Sequence, residues 1–270
     1  MTTRSDRPFL VGLGLLGGLY VLLLVAMLAA DLFYTSWEEM GRTLASPEIR
    51  FAIVLSLVSS VASAILSVIV AVPLGYLLSR HEFPGKRLVD ALIEIPVVLP
   101  PLVVGLSLLI LFQSRPGAAF QEWIGIKITY AVPAVILAQF AVAAAFAART
   151  MKVTFDQLDP RTEQVAMTLG CTRGQAFRRV VLPEAERGIL AAATVAWARS
   201  LGEFGPVLVF AGTTRMKTEV LSTSVFLELS IGRLDASVAV SVIMVAMAVA
   251  VLLVVRTFGG QDYFGRAVRG

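Results

Sequence analysis

Six runs of apolar residues, at about 9–34, 51–79, 88–112, 131–149, 188–211 and 236–256, alternate with polar connections along the chain. Each run is near or above the ~20 residues that a helix needs to cross a ~30 Å hydrocarbon core. In lipid a backbone must pair its own N–H and C=O groups, and a helix does so within one segment. The pattern therefore predicts an all-α membrane protein with six transmembrane helices in one domain spanning 1–270. The first run is expected to be a retained span. Its apolar part is longer than the 7–15 residues of a signal-peptide core, and no convincing cleavage site follows it.

The runs differ in what they carry. The first holds Gly12, Gly14, Gly17 and Gly18, suited to close approach of a neighbouring helix. The second is rich in small residues (Ser56, Ser59, Ser60, Ser63 and Ser67) that allow tight helix packing, and contains Pro73, expected to kink it. The third contains Pro96, Pro100 and Pro101, which free backbone carbonyls that protein or a water-lined cavity must satisfy. Within the sixth run, Met244 and Met247 read as packing. Between runs, Lys217–Ser230 is expected to form a helix touching the membrane surface.

Charge placement orients the bundle. Six spans put both ends on one side, and fifteen Lys and Arg residues fall on that side against seven on the other, with Arg199 inside a span. The positive-inside rule then places both termini and the long connection 150–187 in the cytoplasm. The net charge of +4 follows this topology and is no nucleic-acid signature. A composition 57% hydrophobic and 16% charged is too apolar for a soluble domain. One cysteine, Cys171, excludes an internal disulfide, and one histidine, His81, argues against a histidine-ligated haem or zinc site. That disfavours a redox membrane anchor. No GxxxxGK[ST] run is present, so ATP is not expected to bind this chain by that route.

The connection 150–187 contains the longest charged stretch, 159–188. Asp159 can cap a helix with Pro160 at its first position. Val165, Ala166 and Leu169 then fall on one apolar face. Gly170 supplies the left-handed residue that ends the helix. Thr172 with Gln175 is a capping-box start for a second helix, and Pro183 stops that helix or opens the next. Such a pair must bury its stripe against lipid or a protein partner.

Gln164-Val165-Ala166, three residues, Gly170, nine residues, then Val180-x-Leu182-Pro183 resembles the cytoplasmic EAA loop of ABC importer permeases. That motif reads Glu-Ala-Ala, three residues, Gly, nine residues, Ile-x-Leu-Pro. Gln164 stands where the motif has Glu, with Glu163 one position earlier. The runs IPVVLPPLVVGLSLL in the third span and LGEFG in the fifth are similar to those of molybdate- and sulfate-type permeases. The segment after LGEFG departs from that pattern. The resemblance implies the type I ABC importer permease fold, with Glu163, Gln164, Val165, Ala166, Leu169, Gly170, Val180, Leu182 and Pro183 forming a coupling helix that docks on an ATPase subunit. It implies a homodimer with one path at the subunit interface, two ATPase subunits, a periplasmic or lipid-anchored oxyanion-binding protein, and no nucleic acid. ATP and Mg would sit on the ATPase, leaving this chain with no cofactor, no metal and no catalytic residue. The implied substrate is a tetrahedral oxyanion, molybdate or tungstate ahead of sulfate, and the implied location a cell inner membrane. It further places Thr213, Arg215 and Lys217 where the binding protein docks.

Two charges inside the fifth span stand apart. Arg199 lies eleven positions past Gly188, roughly 16 Å along a helix, and Glu203 is one turn on. An unpaired charge there costs at least ~2.5–3.5 kcal/mol, so the two are expected either to pair or, with Gly205 and Pro206, to line a path or gate. Gly202 and Gly205 are expected to allow close packing, and Pro206 to bend the helix. Glu94 reads as an interfacial or paired carboxylate, and Gln139 as a hydrogen-bonding group between helices. The alternative function is a secondary anion carrier or channel with no ATPase. It would need coupling-ion groups or a pore-lining ring, and no internal repeat of the kind such carriers often show is visible.

Overall fold

A computed structural model describes residues 7–259, and every regular element among them is helical. Long apolar helices make the frame: α1 Arg7–Tyr34, then α3 Pro47–Arg80 after the short α2 Trp37–Ala45. Next come α4 Lys86–Val98 and α5 Pro101–Gln113, a polar α6 Arg115–Ile124, and α7 Val132–Gln157. The polar stretch folds as α8 Pro160–Thr168, α9 Arg173–Ala176, a π-helical turn Phe177–Val181 and α10 Leu182–Glu184. The chain re-enters the bundle as α11 Glu186–Leu201, a second π-helical turn Val207–Ala211, α12 Leu221–Ser230 and α13 Leu234–Gly259.

Serine and alanine explain the centre. Ser56, Ser59, Ser60, Ser63 and Ser67 are all buried, as are Ala134, Ala138, Ala143 and Ala147 on α7, so α3 and α7 pack along most of their lengths. Gly75 meets the Met151 and Lys152 backbone so closely that an added Cβ would lie 2.8 Å from it. Ser63 and Ser200 share a hydrogen bond of 2.9 Å that ties α11 to α3. Met247 and Met244 pack against the core, as expected.

The all-helical membrane architecture agrees with the sequence, while several spans are less regular than expected. Among the described residues four helices are long and apolar enough to cross a membrane, those at 9–34, 47–80, 132–157 and 234–253. The expected third span is a pair, α4 and α5, bent by 113° at Leu99–Pro100. Pro100 and Pro101 cannot donate backbone hydrogen bonds, so the break falls there. Pro73, by contrast, sits inside α3 without ending it. The expected fifth span is interrupted at Gly202–Phe204. The fourth continues past Arg149 as far as Gln157, into what was expected to be loop.

Other corrections concern exposure. Gly12, Gly14, Gly17 and Gly18 have no atom within 4 Å of an added Cβ, and α1 lies outside the bundle against α13. The helix expected over 217–230 begins at Leu221, and its first turn is buried in the core rather than spread on the membrane surface. Of the charges behind the orientation count, Arg4, Arg266 and Arg269 lie outside the described residues.

Candidate functional site

The polar stretch folds as its caps dictate. The Asp159 carboxylate accepts from the Arg161 N–H, and Pro160 opens α8. Gly170, at φ 94°, closes it in a Schellman arrangement, with Cys171 N–H donating to Ala166 O and Gly170 N–H to Met167 O, each 3.1 Å. Thr172 and Gln175 complete the reciprocal capping box. Pro183 does not stop the second helix but sits in the first turn of the next one, α10. The chain passes through a π-turn, in which Leu182 N–H donates to Phe177 O, and continues almost directly into α11.

The expected single apolar face is divided. Ala166 turns inward and is 7% exposed, whereas Val165 is 56% and Leu169 82% exposed. Val165 and Leu169, four residues apart, form an outward apolar pair, and Gln164, Arg173, Arg178 and Arg179 of the same stretch are exposed as well. Val180 and Leu182 are half-buried, and Pro183 is exposed. Glu163, expected to face a partner, is 7% exposed and accepts a 2.5 Å hydrogen bond from the Tyr76 hydroxyl at the end of α3. Arg80 donates to Leu158 O at 2.8 Å beside it. Neither Tyr76 nor Arg80 was singled out by sequence, since partners some eighty residues away leave no local signal.

Inside the bundle the two interrupted spans meet at their breaks. An added Cβ on Gly105 of α5 would lie 2.7 Å from Pro206 Cα, and one on Gly205 would lie 3.0 Å from Pro101 Cβ. Glycine of each span thus receives proline of the other. Gly202, expected to serve close packing, is exposed and meets only Ala198 O of its own helix, at 3.8 Å. Arg199 and Glu203 form an ion pair of 2.7 Å across the end of α11, with Glu203 1% exposed. The Arg199 guanidinium also lies 5.7 Å from the Phe146 ring centroid. Ser222 of α12 donates to the Glu203 carbonyl, satisfying backbone freed by the interruption. Glu94 pairs with Arg149 at 3.4 Å, as expected of a paired carboxylate. Gln139 is 1% exposed, yet its side-chain oxygen has no hydrogen-bond partner among the described residues, so it does not bridge helices through that atom.

At the opposite end from α8, Gly212 at φ 72° turns the chain into the segment 213–220. Thr214 O gathers the N–H groups of Lys217, Thr218 and Glu219. Arg215 and Lys217 are exposed and Thr213 half-buried. Arg215 reaches Glu228 of α12 at 2.7 Å, and Arg233 approaches the same carboxylate at 3.9 Å. Glu219 is fully buried, accepting from Ser224 at 2.8 Å. Burial pushes its carboxyl above the usual range. The Ser224 hydroxyl and Arg215 guanidinium pull it back in part, and Glu228 and Glu48 push it further up. Among the described residues no group of three or more His, Cys, Asp or Glu side chains is arranged to hold a metal ion.

Comparison with known proteins adds a family. Residues 71–270 match the model for the binding-protein-dependent transport system inner membrane component. The chain is 33% identical over 255 residues to the sulfate transport system permease protein CysT of Escherichia coli, covering 93% of this chain and 91% of that one. It is 34% identical over 267 residues to the molybdenum transport system permease protein ModB of Mycobacterium tuberculosis, covering 97% and 99%. To the molybdate/tungstate transport system permease protein WtpB of Thermococcus kodakarensis it is 33% identical over 83% of this chain and 84% of that one. A bacterial alginate ABC transporter, solved in complex with its pentasaccharide-bound periplasmic protein, contains a chain that superposes with TM-score 0.74 at 19% identity, covering 95% and 96%. The MetNI methionine ABC transporter gives TM-score 0.57 at 22% identity, covering 83% and 100%.

Proposed function

The chain belongs to the family of binding-protein-dependent transport system inner membrane components, and on that premise we propose that it carries a tetrahedral oxyanion, molybdate, tungstate or sulfate, through an ATP-driven importer. It is a permease subunit, not an enzyme; ATP hydrolysis belongs to a separate subunit, and the carrier or channel reading falls away. The oxyanion reading is supported by relatives named for those anions that span nearly the whole chain.

In this reading α8 and the turn after it dock on an ATPase. The observation that carries it is the outward pair Val165 and Leu169. They stand together on one face of a rigidly capped helix outside the apolar spans, in a stretch whose arginines Arg173, Arg178 and Arg179 are also exposed. ATP-driven closure of two ATPases would move two such helices in a homodimer and switch the path between inward and outward opening as a rigid-body transition. Gly205 and Pro206, seated against Pro101 and Gly105, form the gate region beside Arg199 and Glu203. Since that arginine already has a carboxylate, the path offers no free fixed cation there, which favours release over tight retention. Selection then rests on a solute-binding protein docking near Thr213, Arg215 and Lys217. The chain binds no cofactor itself, and its termini face the cytoplasm with α8.

Leu169→Arg tests the docking. Leu169 is 82% exposed, so the change leaves the core alone. The expected result is loss of co-purification with the ATPase and at least a tenfold fall in molybdate uptake. Wild-type association and uptake would remove the coupling role from this loop.

A further inference from the structure

We infer that the hydrogen bond between Tyr76 and Glu163 is the joint through which the polar loop drives the bundle, with Tyr76 the positioning residue; this rests on the coupling reading above. α3 is the element best placed to be driven. It is a single helix of 34 residues, roughly 50 Å long, and it passes Pro73 unbroken. It contacts α7 along its length, α11 through Ser63 and Ser200, and the outer segment through Ser56, whose hydroxyl accepts from the Leu221 N–H at 2.8 Å. A displacement at its Tyr76 end therefore reaches the interrupted fifth span and the outer turn without crossing a hinge in α3.

What fastens the loop to that end is specific. The phenol donates to the Glu163 carboxylate at 2.5 Å, and both residues are at least nine-tenths buried. A hydrogen bond to an ionised acceptor is roughly twice as strong as a neutral one and is directional, whereas apolar surfaces can slide. The Tyr76 ring is held by Phe177 of the loop, centroids 4.6 Å apart, and by Phe155 of α7 at 5.7 Å. Arg80, one turn on, binds Leu158 O just before α8 begins. Three elements thus converge on one phenol, and α8 cannot shift or rotate without moving it. Glu163 is spent inside the chain, which leaves contact with the ATPase to the exposed Val165 and Leu169.

The test uses the permease assembled with its ATPase and a molybdate-loaded binding protein in vesicles, reading molybdate moved per ATP hydrolysed. Tyr76→Phe keeps the ring and removes the donor; the ratio should fall at least threefold. Glu163→Gln keeps an acceptor oxygen for the phenol but removes the charge that strengthens the bond, so the ratio should fall, though by less than in Tyr76→Phe. The double variant should be no worse than Tyr76→Phe alone, because both changes act on one bond. If Tyr76→Phe fails to assemble because it strands a buried carboxylate, the double variant, lacking that charge, supplies the measurement. A wild-type ratio in an assembled Tyr76→Phe or double-variant complex overturns the inference. Leu169→Arg run in parallel separates the two failures. If it still abolishes ATPase association while the Tyr76 variants couple normally, only the joint is wrong.

Discussion

Buried charge in this chain is settled residue by residue, and Glu219 is the least balanced case. Glu203 has Arg199, and Glu228 has Arg215 with Arg233 nearby. Glu219 is fully buried with one oxygen held by Ser224 and the other without a partner among the described residues. Its carboxyl is raised mainly by burial, so the fold binds the neutral form better than the unfolded chain does. The sign follows by linkage. The stability tied to this group is fully present below the ordinary carboxylate pKa and is lost as pH rises through the raised folded value. Glu219→Gln imitates the neutral form. Its Tm in detergent should exceed that of the wild type by a few degrees at pH 8, and the difference should vanish at pH 4. An equal offset at both pH values would mean that ionisation of Glu219 does not weaken the fold.

Among elements, α5 packs closely on the residues that open the second π-turn, and glycine substitutions grade that contact. An added methyl on Gly105 would strike Pro206 backbone at 2.7 and 2.9 Å, which cannot swing aside. One on Gly205 would meet Pro101 Cβ at 3.0 Å and Leu102 N at 3.1 Å, where a shift of a few tenths suffices. One on Gly202 meets nothing nearer than 3.8 Å. Overpacking costs typically about 1–3 kcal/mol, while Ala exceeds Gly in helix propensity by ~1 kcal/mol. The expected order in stability, read as Tm, is therefore Gly202→Ala at or above wild type, Gly205→Ala slightly below, and Gly105→Ala lowest, destabilised by about 1–3 kcal/mol. Any other order means that this crossing is looser than drawn. The same elements show what sequence could and could not reveal. Caps are local signals, so Asp159, Gly170, Thr172 and Gln175 were readable from their spacing. Arg199 and Glu203, one helical turn apart, were readable as a candidate pair. Prolines announced trouble in the third span, but its 113° bend is decided by what packs against it. Periodicity put Val165, Ala166 and Leu169 on one face. Which part of that face the chain covers itself depends on the distant Tyr76, which no window around α8 contains.

For the whole molecule the decisive question is which side of the membrane α8 faces, and the chain carries its own reporter. Cys171 is the sole cysteine, and it sits half-buried directly after Gly170, beside the exposed Leu169. A thiol reagent that cannot cross lipid therefore reports this position without any engineered residue. If basic residues hold their side inward, the reagent should label inverted vesicles and spare intact spheroplasts by at least tenfold. Docking of the ATPase on Val165 and Leu169 should then shield Cys171 in inverted vesicles, slowing labelling several-fold when the subunit is present. The two readouts fail separately. Labelling of spheroplasts would invert the topology and detach α8 from any cytoplasmic motor. Labelling from inside with no shielding would keep the topology and move the docking surface away from α8.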